Sequence, residues 1–209
     1  MDTSGLNDLI KPPRETLVLE SLHFLGAGYE CAGAKIPCPV PGVVCLMDIL
    51  RLPWVTGGVP SDSDILAAQV LLELRRDAVG IVVNAQHAES PVEYVANHCP
   101  HEFTDHEIGV IGGSISESMK TASAGFNFFP RQNDEGEEGE MVFGAEFLAG
   151  VCRVYGDFGV PPERAIWHEP LARVGFAMAT AAKANGAKNI GRENTLDWEK
   201  ALKAMRNGD

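Results

Sequence analysis

The sequence predicts a mainly α protein, organised as a single helical domain with long irregular loops. Apolar residues recur at three- and four-residue spacing in several segments, the longest being 160–186. Prolines or capping residues precede these segments, and glycines often follow them. Strand-like and helix-like patterns do not alternate, which argues against a parallel sheet.

Length and composition favour one folded, soluble protein. The chain has 209 residues, and 45% of them are hydrophobic, which is typical of a globular domain. No apolar run approaches the roughly 20 residues of a membrane-spanning helix, so we expect no membrane partner. Residues 1–15 lack a basic stretch followed by an apolar one, so no secretion signal is predicted. Five cysteines suit reduced thiols in a cytoplasmic protein better than a complete disulfide framework.

The charge balance argues against nucleic acid as a partner. The formal net charge is -12, whereas contacts to a phosphate backbone require clustered Lys and Arg. Acidic residues gather in the loop 131–140, which is the best candidate boundary in the chain. We therefore predict a helical region over 1–130 that contains a Cys/Pro-rich loop, then the acidic loop, then C-terminal helices over 141–209 packed on the same core.

The first part of the chain contains two predicted helices separated by a loop. Pro12 and Pro13 open a helix over 14–25. Residues 26–42 are rich in Gly, Pro and Cys, which predicts a loop or short extended pieces. A short apolar helix over 43–52 should end at the following proline.

In the middle of the chain, the sequence predicts the first helix clearly and leaves the secondary structure of the following segments ambiguous. Ser61 with Asp64 forms a capping-box pattern that predicts a helix over 65–77. Residues 79–90 fit either a continued helix or a short strand, and 91–97 fit a short helix. Residues 107–126 fit either one glycine-weakened helix or a turn followed by a helix.

The segment 160–186 is the one around which the chain is organised. Pro161 and Pro162 open a short helical turn that should end near Glu169, because Pro170 disfavours helix at the residue before it. A second helix follows to about Asn185. Trp167 and the helical stripe after it are expected to pack in the core, or to form a docking surface for a partner helix. The candidate partner-binding residues are Trp167, Leu171, Val174 and Met178. Two more helices are expected nearby, over 141–159 and after Thr195.

One cluster in the sequence suggests metal chemistry. His98, Cys99, His101 and His106 bring imidazole and thiol groups close together, and such groups suit zinc. Cys31, Cys38 or Cys45 would complete the site. A polar loop is the competing interpretation, because no CxxC or HExxH pattern is present. We therefore predict no catalytic residue and no cofactor, with a zinc-dependent hydrolytic enzyme as the alternative.

Two further groups have a functional and a structural interpretation. The glycines of 109–114 would cradle a phosphate if they lay at a helix start, but they do not match the dinucleotide fingerprint. Glu163, His168 and Glu169 fit acid–base chemistry or hydrogen bonding at a helix entry.

A loose resemblance adds a function class. The pairs Tyr155-Gly156 and Pro170-Leu171, the intervening Trp167, and the cap at Ser61 and Asp64 resemble small helical proteins from the tail modules of tailed bacteriophages. The resemblance implies a tail assembly chaperone or minor tail component in the cytoplasm of an infected bacterium. Such a protein sequesters a long helical partner such as the tape-measure protein and performs no chemistry. Self-association and a virion structural subunit remain as alternatives.

Overall fold

The computed structural model describes residues 25–123, 126 and 143–186, and this part of the chain is mostly helical, as predicted. The strands are β1 (Tyr29–Cys31) and β2 (Ala34–Ile36). The helices are α1 (Pro41–Ile49), α2 (Pro53–Thr56), α3 (Asp62–Leu74), α4 (Ala78–Ala85), α5 (Pro91–Ala96), α6 (Asp105–Ala122), α7 (Ala145–Gly156), α8 (Pro162–Trp167) and α9 (Leu171–Ala184). A 3-10 turn, Arg75–Asp77, joins α3 to α4.

The Cys/Pro-rich segment forms a small hairpin followed by extended chain. β1 and β2 pair antiparallel, with Tyr29 opposite Ile36. Ala32 and Gly33, both with positive φ, make the turn. The helix expected over 43–52 begins two residues earlier, at Pro41, because proline is well suited to the first turn of a helix.

Capping boxes begin the two long helices of the middle segment. The Ser61 backbone N–H donates to Asp64 Oδ2 at 2.8 Å, and the Asp64 N–H donates to Ser61 Oγ at 3.3 Å, as the sequence pattern predicts. Thr104 and Glu107 make the same reciprocal pair at the start of α6. Hydrogen bonds from Thr104 hold the pKa of Glu107 below its usual value.

The two ambiguous segments, 79–90 and 107–126, are helical over most of their described length. Residues 78–85 form α4 after the 3-10 turn, and no strand occurs there. Residues 105–122 form one continuous helix through Gly112 and Gly113. The glycine-rich run 109–114 therefore lies inside α6 and not at its start. The phosphate-cradle interpretation is wrong, since the N–H groups there bond within the helix.

The C-terminal part follows the predicted pattern of helix, bend and helix. α8 ends at Trp167 and α9 begins at Leu171, immediately after Pro170. The helices predicted over 14–25 and after Thr195, and the acidic loop 131–140, lie outside the described residues.

Buried side chains from both sides of the undescribed 127–142 segment belong to one apolar cluster. Its fully buried members include Ile36, Met47, Leu71, Ile111, Ile115 and Leu171. α8 packs against α1 at Gly42, where an added Cβ would lie 2.4 Å from the Trp167 ring atom Cζ3. No helix among the described residues is both long enough and apolar enough to cross a membrane.

We expect Gly42→Ala to destabilise the protein by about 1–3 kcal/mol, because the rigid indole of Trp167 occupies the space that the methyl group needs. Thermal unfolding measures the change. Gly80→Ala is the matched control, since no described atom lies within 4 Å of its missing Cβ. Equal melting temperatures for the two variants would contradict the described packing of α8 on α1.

Candidate functional site

The bend between α8 and α9 is held against the extended chain that leads into α1. The Leu171 backbone N–H donates to the carbonyl of Pro39 at 2.8 Å. An added Cβ at Gly26 would lie 3.2 Å from the ring of Pro170. Together with the Trp167–Gly42 contact, these interactions fix the bend in place beside residues 38–40.

Glu169 is the polar centre of this bend. Its residue surface is only 5% exposed, and its two carboxylate oxygens have different partners. Arg173 Nη1 donates to Oε2 at 2.8 Å. Arg164 Nε lies 3.4 Å from Oε1. The carboxylate therefore links α8 to α9 and orients two guanidinium groups.

The charges of Glu169 and Arg173 also act on Tyr155 of α7. Burial raises the pKa of its hydroxyl to about 12, and the negative charge of Glu169 acts in the same direction. The hydroxyl is buried and finds no hydrogen-bond partner among the described residues. Its proton is therefore retained at neutral pH.

The 3-10 turn after α3 contacts α8 at both of its ends. Arg76 forms an ion pair with Glu163 at the start of α8. Arg75 Nη1 lies 3.4 Å from the carbonyl oxygen of Trp167 at the helix end. Arg75 adopts φ 50° and ψ -115°, a sparsely populated conformation for a residue with a side chain. Such a conformation costs on the order of 1–3 kcal/mol and needs support from its surroundings.

These elements enclose a cleft of about 300 Å³, which we call the arginine cleft. It is lined by Leu25, Gly26, Cys38, Val40, Arg75, Arg164, His168, Glu169, Pro170 and Arg173. Among the described residues that line it are three arginines and one glutamate. Burial raises the pKa of the Cys38 thiol to about 12, against the opposing effect of Arg75 and Arg173. The thiol is therefore neutral and adds no negative charge.

The predicted acid–base group is divided between two structural roles. Glu163 pairs with Arg76 on the surface, whereas Glu169 is buried between two arginines. His168 is exposed on the lining of the arginine cleft. Glu169 and His168 both line this cleft. Each of the two carboxylates, Glu163 and Glu169, has an arginine partner that accounts for its position.

The four predicted partner-binding residues lie largely inside the protein. Leu171 and Val174 have no exposed surface in this conformation. Met178 is partly buried against α7, where an added Cβ at Gly150 would lie 3.7 Å from its Cε. Trp167 is partly buried over Gly42. Of these four residues, only Met178 and Trp167 are accessible to a partner in the described conformation, and each is only partly exposed.

The predicted zinc ligands have separate partners. His98 Nδ1 lies 2.8 Å from the carbonyl oxygen of Tyr94, and His101 Nε2 lies 3.3 Å from Glu73 Oε1. His106 is exposed in the first turn of α6, and burial raises the pKa of Cys99. Across the described ranges, no three His, Cys, Asp or Glu side chains are placed to hold one metal ion.

The outward side of α6 has an unusual surface, which we call the α6 outer face (Gly109, Val110 and Gly113). Val110 is 40% exposed, and no described atom lies within 4 Å of a Cβ added at either glycine. The four-residue spacing places both glycines on one side of the helix. The sequence carried this signal, but it emerges only once 105–122 is known to be a single helix.

No family model, curated protein or solved structure matches this chain.

We expect Glu169→Gln to lower the free energy of unfolding by about 1–3 kcal/mol, because a neutral amide cannot balance the two arginines. Glu163→Gln is the matched control, and its effect should be much smaller because its ion pair is exposed. Chemical denaturation of both variants measures the difference. Equal losses would show that Glu169 does not anchor the bend.

The thiols should also differ in reactivity. Burial raises the pKa values of Cys38 and Cys45 to about 12, so both should resist alkylation in the native protein at pH 7.5. Cys31 and Cys152 are partly exposed and should react sooner. Mass spectrometry after brief treatment with iodoacetamide identifies the labelled residues, and labelling in denaturant provides the control. Rapid native labelling of Cys38 would contradict its described burial.

Proposed function

We propose that this chain is a non-enzymatic assembly or scaffolding protein that binds a helical protein partner through the α6 outer face. The observation that carries this proposal is the pair of glycines inside α6, Gly109 and Gly113, where no described atom lies within 4 Å of an added Cβ. Such a surface lets the backbone of a second helix come close.

The energetic argument starts from the cost of glycine. Glycine inside a helix costs roughly 0.5–1 kcal/mol relative to alanine. At Gly112 packing explains this cost, since an added Cβ would lie 2.6 Å from Cδ1 of the buried Ile65. At Gly109 and Gly113 the described part of the chain offers no such reason. A second helix bound against this face would explain why glycine occupies both positions.

α4 has a second surface of the same kind. Val79 is 37% exposed and Val83 is 58% exposed, and they lie four residues apart on the helix. At Gly80, beside Val79, the described part of the chain again places no atom within 4 Å of an added Cβ. Exposed apolar side chains next to a bare stretch of helix backbone suit contact with another protein. We assign α4 a secondary role, because it carries one such glycine among the described residues and α6 carries two.

The charge of the chain suits this function. A formal net charge of -12 keeps a protein that exposes apolar helix faces soluble and limits non-specific association. The same charge disfavours nucleic acid as the partner. The proposed partner is therefore an apolar or amphipathic helix of another protein, or of a second copy of this chain.

The resemblance of 155–186 to small phage tail proteins supports a more specific form of the proposal. In that form the chain is a tail assembly chaperone, working in the cytoplasm of an infected bacterium and holding a long helical protein such as the tape-measure protein. A virion structural subunit would use the same surface within the finished particle. We do not propose zinc-dependent hydrolysis, because His98 and His101 are engaged by different neighbours.

Native mass spectrometry tests this function on protein isolated gently from its natural host. We expect the wild-type chain to carry a predominantly helical protein or further copies of itself. The double variant Gly109→Leu/Gly113→Leu should lose this association, because two bulky side chains would block the approach of a helix.

The control is Gly156→Leu, at the end of α7, where described atoms also leave the Cβ position open. It should keep the wild-type association. A wild-type chain that is always monomeric and partner-free would contradict the proposal. So would equal retention of the partner by the wild type and the double variant.

A further inference from the structure

We propose that the partner of the α6 outer face is a second copy of this chain, whose α6 packs antiparallel to the first about a two-fold axis. This inference rests on the proposed function, since it assigns the occupant of the same face. Two pairs of exposed residues in α6 share one midpoint in the sequence. A single axis through that midpoint brings complementary groups together in both pairs.

The central pair is Val110 and Gly113, which lie on one side of α6. Val110 is 40% exposed, and no described atom lies within 4 Å of a Cβ added at Gly113. Their midpoint falls between Ile111 and Gly112. A two-fold axis there places Val110 of each copy over Gly113 of the other. An apolar side chain thus meets bare helix backbone twice, as the symmetry of an isologous interface requires.

The outer pair, His106 and Glu117, has the same midpoint. Both residues are exposed, and about three helical turns separate them, so they lie on the same side of α6. The axis defined by the central pair therefore brings His106 of each copy opposite Glu117 of the other. An imidazole N–H donates to a carboxylate whether the ring is neutral or charged. Two such contacts flank the centre symmetrically.

The charges at the ends of α6 favour the antiparallel direction. Glu102 and Asp105 are exposed at its beginning, and Lys120 is exposed near its end. Antiparallel packing about this axis sets Lys120 of one copy opposite the stretch between Glu102 and Asp105 of the other. The opposed helix dipoles also attract. A parallel pair would place each of these charges beside its own counterpart, which is unfavourable.

Small residues let the two helices come close around the axis. Gly109 lies opposite Ser114 of the other copy in this arrangement. The Ser114 hydroxyl donates to the carbonyl of Val110 at 3.1 Å, so it keeps a hydrogen bond when a second helix covers it. One helix pair is a small interface, so we expect reversible dimerisation at roughly micromolar concentrations.

Sedimentation velocity on the full chain, purified alone over a range of concentrations, tests this inference. We expect a concentration-dependent equilibrium between monomer and dimer for the wild type. Gly109→Leu/Gly113→Leu should remain monomeric, because leucine fills the space that the second helix needs. Leucine also favours helix more than glycine does, so this loss would not reflect unfolding of α6.

Charge exchange tests the register. His106→Glu faces Glu117 of the other copy twice and should raise the dissociation constant roughly fivefold or more. His106→Glu/Glu117→Lys restores opposite charges and should recover a dissociation constant within about threefold of the wild type. Arg153→Gln, an exposed change on α7, alters the net charge by the same amount as His106→Glu and should dimerise like the wild type.

The outcomes separate this inference from the proposed function. A wild-type chain that stays monomeric when pure, yet carries a different helical protein after gentle isolation, would overturn the second copy and leave the proposed function in place. A dimer that persists in Gly109→Leu/Gly113→Leu would show that the copies meet elsewhere. Failure of the charge exchange to recover dimerisation would overturn the antiparallel register.

Discussion

The packing of the Trp167 indole over Gly42 is the contact on which the C-terminal half depends. Without a side chain at Gly42, α8 lies close against α1, and the chain turns at Pro170 directly beside the extended residues 38–40. That turn places Leu171 and Val174 in the core. It also brings the end of α8 within reach of Arg75. This close approach therefore holds the bend where it contributes Leu171 and Val174 to the core and residues 168–170 to the arginine cleft.

Glu169 adds a specific polar contact to this apolar packing. A buried carboxylate is costly unless charged or hydrogen-bonding groups satisfy it. Here two arginines from the flanking helices do so, which couples the angle between α8 and α9 to an ionic contact. Because Arg75 and Arg76 of the 3-10 turn also contact α8, the bend is held by several elements. The guanidinium groups are therefore fixed by the fold itself.

Local signals in the sequence were sufficient for most of the secondary structure. The capping box at Ser61 and Asp64 and the break at Pro170 lie where the pattern predicts them, because both depend on neighbouring residues alone. The range 107–126 stayed ambiguous because glycine weakens a helical pattern. The burial of Ile65 against Gly112 resolves it, but that contact joins residues 47 positions apart.

The candidate sites were harder to predict than the helices. The spacing of Leu171 and Val174 correctly indicates one helical side, but spacing does not distinguish an internal neighbour from an external partner. The clustered His98 and His101 suggested zinc, yet each ring meets a different acceptor in the fold. The arginine cleft unites arginines up to 98 positions apart, Arg75 and Arg173, and no local pattern contains that information.

The arginine cleft and the α6 outer face use different elements of the fold. The cleft depends on α8, α9 and the 3-10 turn, whereas the proposed partner surface depends on α6. Hydrogen–deuterium exchange on the chain alone and in its assembled form separates the two most directly. Assembly through the α6 outer face predicts slower exchange over 105–122 in the complex, with little change over 162–173. Unchanged exchange over 105–122, with protection elsewhere, would contradict assembly through this face.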